Sequence, residues 1–228
     1  MIIQPILLSL KVAILATIVA FFIGTICAYI MVRKNIPGKN IWETILILPM
    51  ILPPSVLGYI LLVLLGKRGP VGSFLMEHFD LQIIFTWVAC VIAASVVSLP
   101  LMYQSAKTGL ISVDLVYEDA ARDLGANKWQ VFWKITLPLA MPGIISGIVL
   151  SFARSMGEFG ATLMVAGNIP GKTQTISTAI YFAVDAGKEH LANVLVLIMT
   201  LLSFIMVFCL NHWLKRSLIN ENKYNGIG

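Results

Sequence analysis

Three observations predict an all-α membrane protein of five transmembrane helices. Hydrophobic residues make up 58% of the 228-residue chain, charged residues only 12%, and the mean hydropathy is +0.89. A soluble domain of this length needs far more charge to cover its surface, so the bilayer is the solvent. Five apolar runs, at about 6–32, 43–65, 83–106, 139–166 and 192–214, each reach the roughly 20 residues that cross a ~30 Å hydrocarbon core as helix. The runs are unbroken and not alternating, which excludes a β-barrel. With no internal repeat, low-complexity segment or soluble appendage, residues 1–228 read as one transmembrane domain.

The first span is too long for the apolar core of a cleaved signal and carries Lys11, so an uncleaved anchor is expected. The second contains Pro49, Pro53 and Pro54. Proline deletes a backbone donor and clashes with the preceding turn. A break at membrane depth survives only where protein or a water-filled cavity satisfies the freed carbonyls. It is either a packing kink or a break lining a pathway. The third span has milder punctuation at Pro100, near its inner end. The fourth carries Arg154 and Glu158, and the fifth ends at Trp213, which with Trp42 reads as an interface anchor. Cys27, Cys90 and Cys209 all sit inside apolar runs, as packing residues and not as a disulfide framework.

Orientation follows from the loops. One face receives Arg33, Lys34, Lys39, Lys107, Arg122, Lys128, Lys134, Lys215, Arg216 and Lys223, and the other only Lys67, Arg68, Lys172 and Lys188. Ten basic residues against four place the first set in the cytoplasm, the N-terminus outside and the C-terminus inside. The net charge of +5 is thus a matter of topology, and no nucleic-acid partner is expected.

The cytoplasmic loop 107–138 is unusually structured. Ser112 or Asp114 can cap a helix in which Ala120, Ala121 and Leu124 share a face bordered by Glu118, Arg122 and Asp123. Gly125 is a natural left-handed stop. Asn127 can cap a second helix with Trp129, Phe132, Trp133 and Ile135 as an aromatic stripe, closed by Pro138. Small residues admit another surface and the charges set its register. An interfacial helix on lipid suits the aromatic half but not the acidic half, which anionic head groups repel.

The spacing Asp119-Ala120-Ala121, three residues, Gly125, nine residues, Ile135, one residue, Leu137-Pro138 resembles the EAA loop of ABC-importer permeases, with Asp119 in place of Glu and Glu118 beside it. The resemblance implies a type I importer permease fold and a coupling helix seated in a groove of a separate ATPase. Glu118, Asp119, Ala120, Ala121, Leu124 and Gly125 would be the docking residues. Leu48-Pro49-Met50-Ile51-Leu52-Pro53-Pro54-Ser55-Val56-Leu57-Gly58-Tyr59, the turn Gly66-Lys67-Arg68-Gly69, the run Phe152 to Thr162 and Asn168-Ile169-Pro170-Gly171 resemble the molybdate type of that family. Sulfate and thiosulfate permeases share Arg154-x-x-Gly157-Glu158-Phe159-Gly160. That run alone implies a tetrahedral oxyanion, while Pro53-Pro54 and the Gly-Lys-Arg-Gly turn favour molybdate, with tungstate close behind. The resemblance further implies a bacterial inner-membrane homodimer, two ATPase copies and an extracytoplasmic oxyanion-binding protein as partners.

Arg154 and Glu158, at i and i+4, fall on one helix face, which Gly147, Ser151 and Thr162 continue as a polar stripe. Intramembrane charges are costly and face protein or a cavity. The pair either locks helix packing or borders a pathway with Ser151, Pro53 and Pro54. There Arg154 would lower the barrier for a dianion and Glu158 would keep it from binding too tightly. Lys67, Arg68 and Lys172 are candidate contacts for the binding protein, or simply solvated. His78, His190 and His212 are isolated, so no metal site is expected. No phosphate loop, nucleophile elbow or paired-acid site is present, so neither catalytic residues nor a cofactor is expected and ATP energy must come from another chain. An ATP-independent transporter or channel, and a membrane adaptor without transport, are the rival classes.

Overall fold

The computed structural model describes residues 2–205 and Phe208. Among these the chain is almost entirely helical, with no strand: α1 (Ile3–Arg33), α2 (Lys39–Ile51), α3 (Pro54–Leu65), α4 (Pro70–Phe79), α5 (Trp87–Ile111), α6 (Leu115–Asp123), α7 (Lys128–Val131), a π-helical turn (Phe132–Thr136), α8 (Leu137–Met156), α9 (Gly160–Ala166) and α10 (Ile176–Asp185). A further apolar helix, α11, runs over Glu189–Ile205. Cys209, His212, Trp213 and the tail cations Lys215, Arg216 and Lys223 lie outside the described residues, as does the end of the expected fifth span.

Among the described residues, four helical stretches are long and apolar enough to cross a membrane: Ile3–Arg33, Pro54–Phe79, Trp87–Ile111 and Lys128–Met156. The first and third lie close to the expected spans, the fourth begins and ends about ten residues before the expected 139–166, and the second lies further along the chain than the expected 43–65. The expected run at 43–65 is two helices, because Pro53 and Pro54 divide it. Leu52 turns extended at the end of α2, and Pro54 opens α3 at a first-turn position where its missing N–H has no bond to lose. Pro49 and Pro100, by contrast, are absorbed inside α2 and α5. The expected loops 66–82 and 167–191 contain α4 and α10, each ten residues and too short to be read as spans.

α5 is the central helix, enclosed by α1 and α8. Its contacts use small side chains because lipid gives helices no hydrophobic drive to associate, so close van der Waals approach must supply the adhesion. On α1 the buried residues include Ser9, Ala13, Ala16, Ala20, Gly24 and Ala28, spaced three or four apart. α5 answers with Ala89, Ala93, Ala94, Ser98 and Ala106. The tightest point is the α5–α8 crossing, where a Cβ on Gly143 would stand 2.6 Å from the Gly109 Cα. Nothing larger than glycine fits there. Long apolar side chains such as Phe22, Ile26, Ile60 and Leu150 point outward, as lipid-facing or protein-facing surface requires.

Candidate functional site

The loop between α5 and α8 folds into a capped, anchored helix. The Asp114 carboxylate accepts from the Val116 N–H (3.0 Å) and starts α6. At the other end the Ala126 N–H donates to the Ala121 carbonyl (3.0 Å) and the Gly125 N–H to Arg122 (2.9 Å). Gly125 has φ +87°, which completes a Schellman stop with the glycine in the left-handed region. Asn127 and Gln130 then cap α7 reciprocally (both 2.9 Å). Pro138 does not end this second helix as expected: the π-turn carries it directly into α8, with Pro138 in the first turn.

The exposed side of α6 carries Ala120 and Leu124, as the sequence indicated, joined by Asp119 and Asp123. Leu124 is 90% exposed. Val116 and Tyr117, which the sequence reading passed over, also lie on this side. Val116, Ala120 and Leu124 stand at i, i+4 and i+8, and this spacing was legible in the sequence. Ala121 is half-buried.

Glu118 departs from expectation. It is not on the rim but buried beneath α6, at 3% exposure. Its carboxylate accepts from Arg33 at the end of α1 (2.5 Å), from the Thr136 hydroxyl just before α8 (2.8 Å) and from Arg122 on its own helix (3.1 Å). Arg122 also pairs with Asp119 (2.7 Å). One buried carboxylate thereby ties α6 to the end of α1 and the start of α8, and the Tyr29 ring packs edge-on against Phe132 beside it. A buried charge so completely bonded is expensive to leave half-paired.

The second assembly lies where two broken spans meet. α8 ends at Met156, and Gly157, Glu158 and Phe159 leave the helix before α9 begins at Gly160. The apolar run 139–166 predicts one continuous helix here, and the chain instead breaks at Gly157. Glu158 makes the break tenable: one oxygen holds the Arg154 guanidinium (2.9 Å) and the other accepts from the Ala161 N–H (2.8 Å) at the start of α9. A carboxylate at that end satisfies an orphan donor and suits the helix dipole. The Pro53–Pro54 break sits against this one, since a Cβ on Gly160 would meet the Pro54 Cβ at 2.8 Å. α3 and α9 then pack closely, Gly58 against Ala161 and Met164.

At this junction is a cavity of about 280 Å³ lined by α2, α3 and α5, with Arg154 its one charged lining residue. Pro49, Met50 and Pro54 line it from the first break, and Val97 and Leu101 from α5. Arg154 and Pro54 of the expected pathway set are thus brought together. Glu158 stands behind Arg154, and Pro53 is exposed on the α3 cap outside this lining. Ser151 is elsewhere: fully buried, it donates to the Ser98 carbonyl (3.2 Å) in the α5–α8 contact.

Lys67 and Arg68 occupy the exposed turn between α3 and α4, and Lys172 the exposed turn before α10. Among the described residues no three His, Cys, Asp or Glu side chains converge as a metal site would require. His78 stacks on Phe74 at 4.4 Å, an ordinary surface contact.

Comparison with known proteins gives three kinds of likeness. Residues 20–220 match the family described as "Binding-protein-dependent transport system inner membrane component". The chain is 48% identical over 204 residues to the putative molybdenum transport system permease protein YvgM of Bacillus subtilis, covering 90% of each. It is 46% identical over 214 residues to the molybdenum transport system permease protein ModB of Escherichia coli K12, covering 93% of each. The sulfate transport system permease protein CysT of the same organism is 33% identical over 199 residues, 87% of this chain and 72% of that one. Among solved structures, a bacterial alginate ABC transporter in complex with its periplasmic protein superposes with a TM-score of 0.74 at 19% identity, covering 94% of this chain and 78% of that one.

Proposed function

The chain belongs to the family of inner-membrane components of binding-protein-dependent transport systems, and from that premise we propose that it is the membrane-spanning subunit of an ATP-driven importer of molybdate. Its fold is the type I ABC-importer permease fold. The observation that carries the cargo assignment is the identity of 36–48% to molybdenum permeases, 46–48% for the two named above, against 33–34% to sulfate permeases.

In this reading α6 is the coupling helix. Val116, Tyr117, Asp119, Ala120, Leu124 and Gly125 meet a separate ATPase, and Glu118 passes the motion to α1 and α8. Two copies of the chain form the pathway at their two-fold axis, because so few helices do not enclose a polar route alone. An extracytoplasmic oxyanion-binding protein delivers the anion to the face bearing Lys67, Arg68 and Lys172, with the N-terminus on that side. The anion then passes the cavity at the two helix breaks. Arg154 lowers the barrier of a dianion crossing apolar walls, while Glu158 keeps Arg154 from becoming a trap. The chain does no chemistry of its own.

Cellular molybdenum, measured by mass spectrometry in a strain lacking its own high-affinity molybdate uptake, tests the assignment. Supplying this chain with the ATPase and binding protein encoded beside it restores accumulation at low external molybdate, and a tenfold excess of sulfate leaves it unaffected. Restoration that sulfate abolishes assigns the chain to sulfate instead.

A further inference from the structure

Beneath α6, on the side away from the exposed docking face, is a cavity of about 570 Å³ between α1, α6, α7 and the π-turn. Its lining charges are unbalanced: Arg33, Lys34, Arg122 and Lys128 against Glu118 alone. Glu118 is consumed by Arg33, Arg122 and Thr136. Lys34 and Lys128 are exposed, with no carboxylate within salt-bridge distance among the described residues. The Arg33 Nε is buried and has no hydrogen-bond partner. A buried guanidinium N–H without an acceptor is a donor awaiting one.

The surroundings indicate the form of that acceptor. Trp129 and Trp133 stand exposed beside the cavity, at 69% and 50%, as amphipathic rings do at head-group depth. Along α1, exposed Phe22 and Ile26 lead at helical spacing to Tyr29 and Arg33 on the cavity wall. A free inorganic anion has no use for that apolar approach; an acyl chain does. We propose that the cavity is a binding site for an anionic phospholipid, whose phosphate meets Arg33, Lys34 and Lys128 while its chains lie along Phe22 and Ile26 of α1. Basic pockets between helices on the cytoplasmic side suit such head groups, since anionic lipid there adds a surface potential to the direct contacts. The proposal rests on the reading that this face is cytoplasmic. It places a lipid within reach of the Glu118 network, where its presence stiffens the link between α6 and α1.

Native mass spectrometry of the purified permease–ATPase complex tests it, with dioleoyl phosphatidylglycerol, dioleoyl phosphatidylcholine and inorganic phosphate as probes. The wild type retains phosphatidylglycerol in preference to phosphatidylcholine. The double variant Lys34→Gln/Lys128→Gln binds it roughly thirtyfold more weakly, two cations' worth of attraction at a charged surface. Lys67→Gln/Lys172→Gln, on the opposite face, leaves retention unchanged. Equal retention of the two lipids, or phosphatidylglycerol binding unmoved by the double variant, overturns the proposal. So does inorganic phosphate binding the delipidated complex as tightly as the lipid, which makes the cavity a free-anion site. If the double variant does not assemble, a photoactivatable phosphatidylglycerol on the wild type decides: labelling at residues 22–34 or 128–136 supports the site, and labelling elsewhere refutes it. Because lipid is weighed without transport, loss of uptake with lipid retained counts against the transport reading alone.

Discussion

Glu118 and Arg154 are both charges held inside this protein, and they predict different losses. Glu118→Gln keeps the side chain's shape but removes the charge that Arg33 and Arg122 share. Breaking one side of a buried pair leaves the other uncompensated; with Arg122 half exposed, the expected destabilisation is about 2 kcal/mol. Thermal unfolding in detergent reads it as a lower Tm, and ATP hydrolysis should become less dependent on the binding protein. Arg154→Gln carries a second loss besides stability. It strands the buried Glu158 carboxylate, which keeps only its Ala161 N–H donor, so a lower Tm accompanies an oxyanion uptake that falls about tenfold or more while ATPase binding persists. Normal uptake in that variant leaves Arg154 a packing role only. The sequence showed both residues as charged but not where they point. Glu118 looked like a rim residue because its partner Arg33 lies 85 positions away. Arg154 and Glu158 announced themselves only because both lie within one apolar run.

At the scale of elements, the Pro53–Pro54 break was legible because proline carries its own reason to stop a helix. The break at Gly157 was not, since glycine is tolerated within membrane helices and the capping carboxylate is recognised only once the chain has turned. α4 and α10 hid in the expected loops 66–82 and 167–191 for another reason, ten residues each being too few to register as a span. The Gly125 stop was visible from spacing and is present at φ +87°. An added Cβ there meets nothing within 4 Å, so the loss from Gly125→Trp falls on the cap and on whatever approaches α6 from outside. Co-purification with the ATPase should be lost while the permease still extracts as a folded protein; unchanged co-purification removes Gly125 from the interface. Gly143→Leu should fail earlier. Its side chain would enter the Gly109 backbone, and the expected readout is aggregation on extraction, not a transport defect.

For the molecule as a whole, helices of small residues gather around α5, and two broken spans meet where one arginine faces a cavity. A buried carboxylate joins the exposed loop helix to two of the long helices. In the proposed scheme these parts form a relay from an ATPase to a pathway, and the relay is useful only if ATP-driven closure shifts the membrane helices by several kcal/mol. Composition and spacing could show the membrane class and the capped helix of the loop, because both are local properties. They could not show the link through Glu118, which forms only where α1, α6 and the start of α8 converge in space. The most direct test is molybdate uptake into proteoliposomes holding this chain, with its binding protein outside and ATP inside. The account predicts uptake only when the ATPase is co-reconstituted and ATP is hydrolysable. Uptake of the same rate without the ATPase contradicts it.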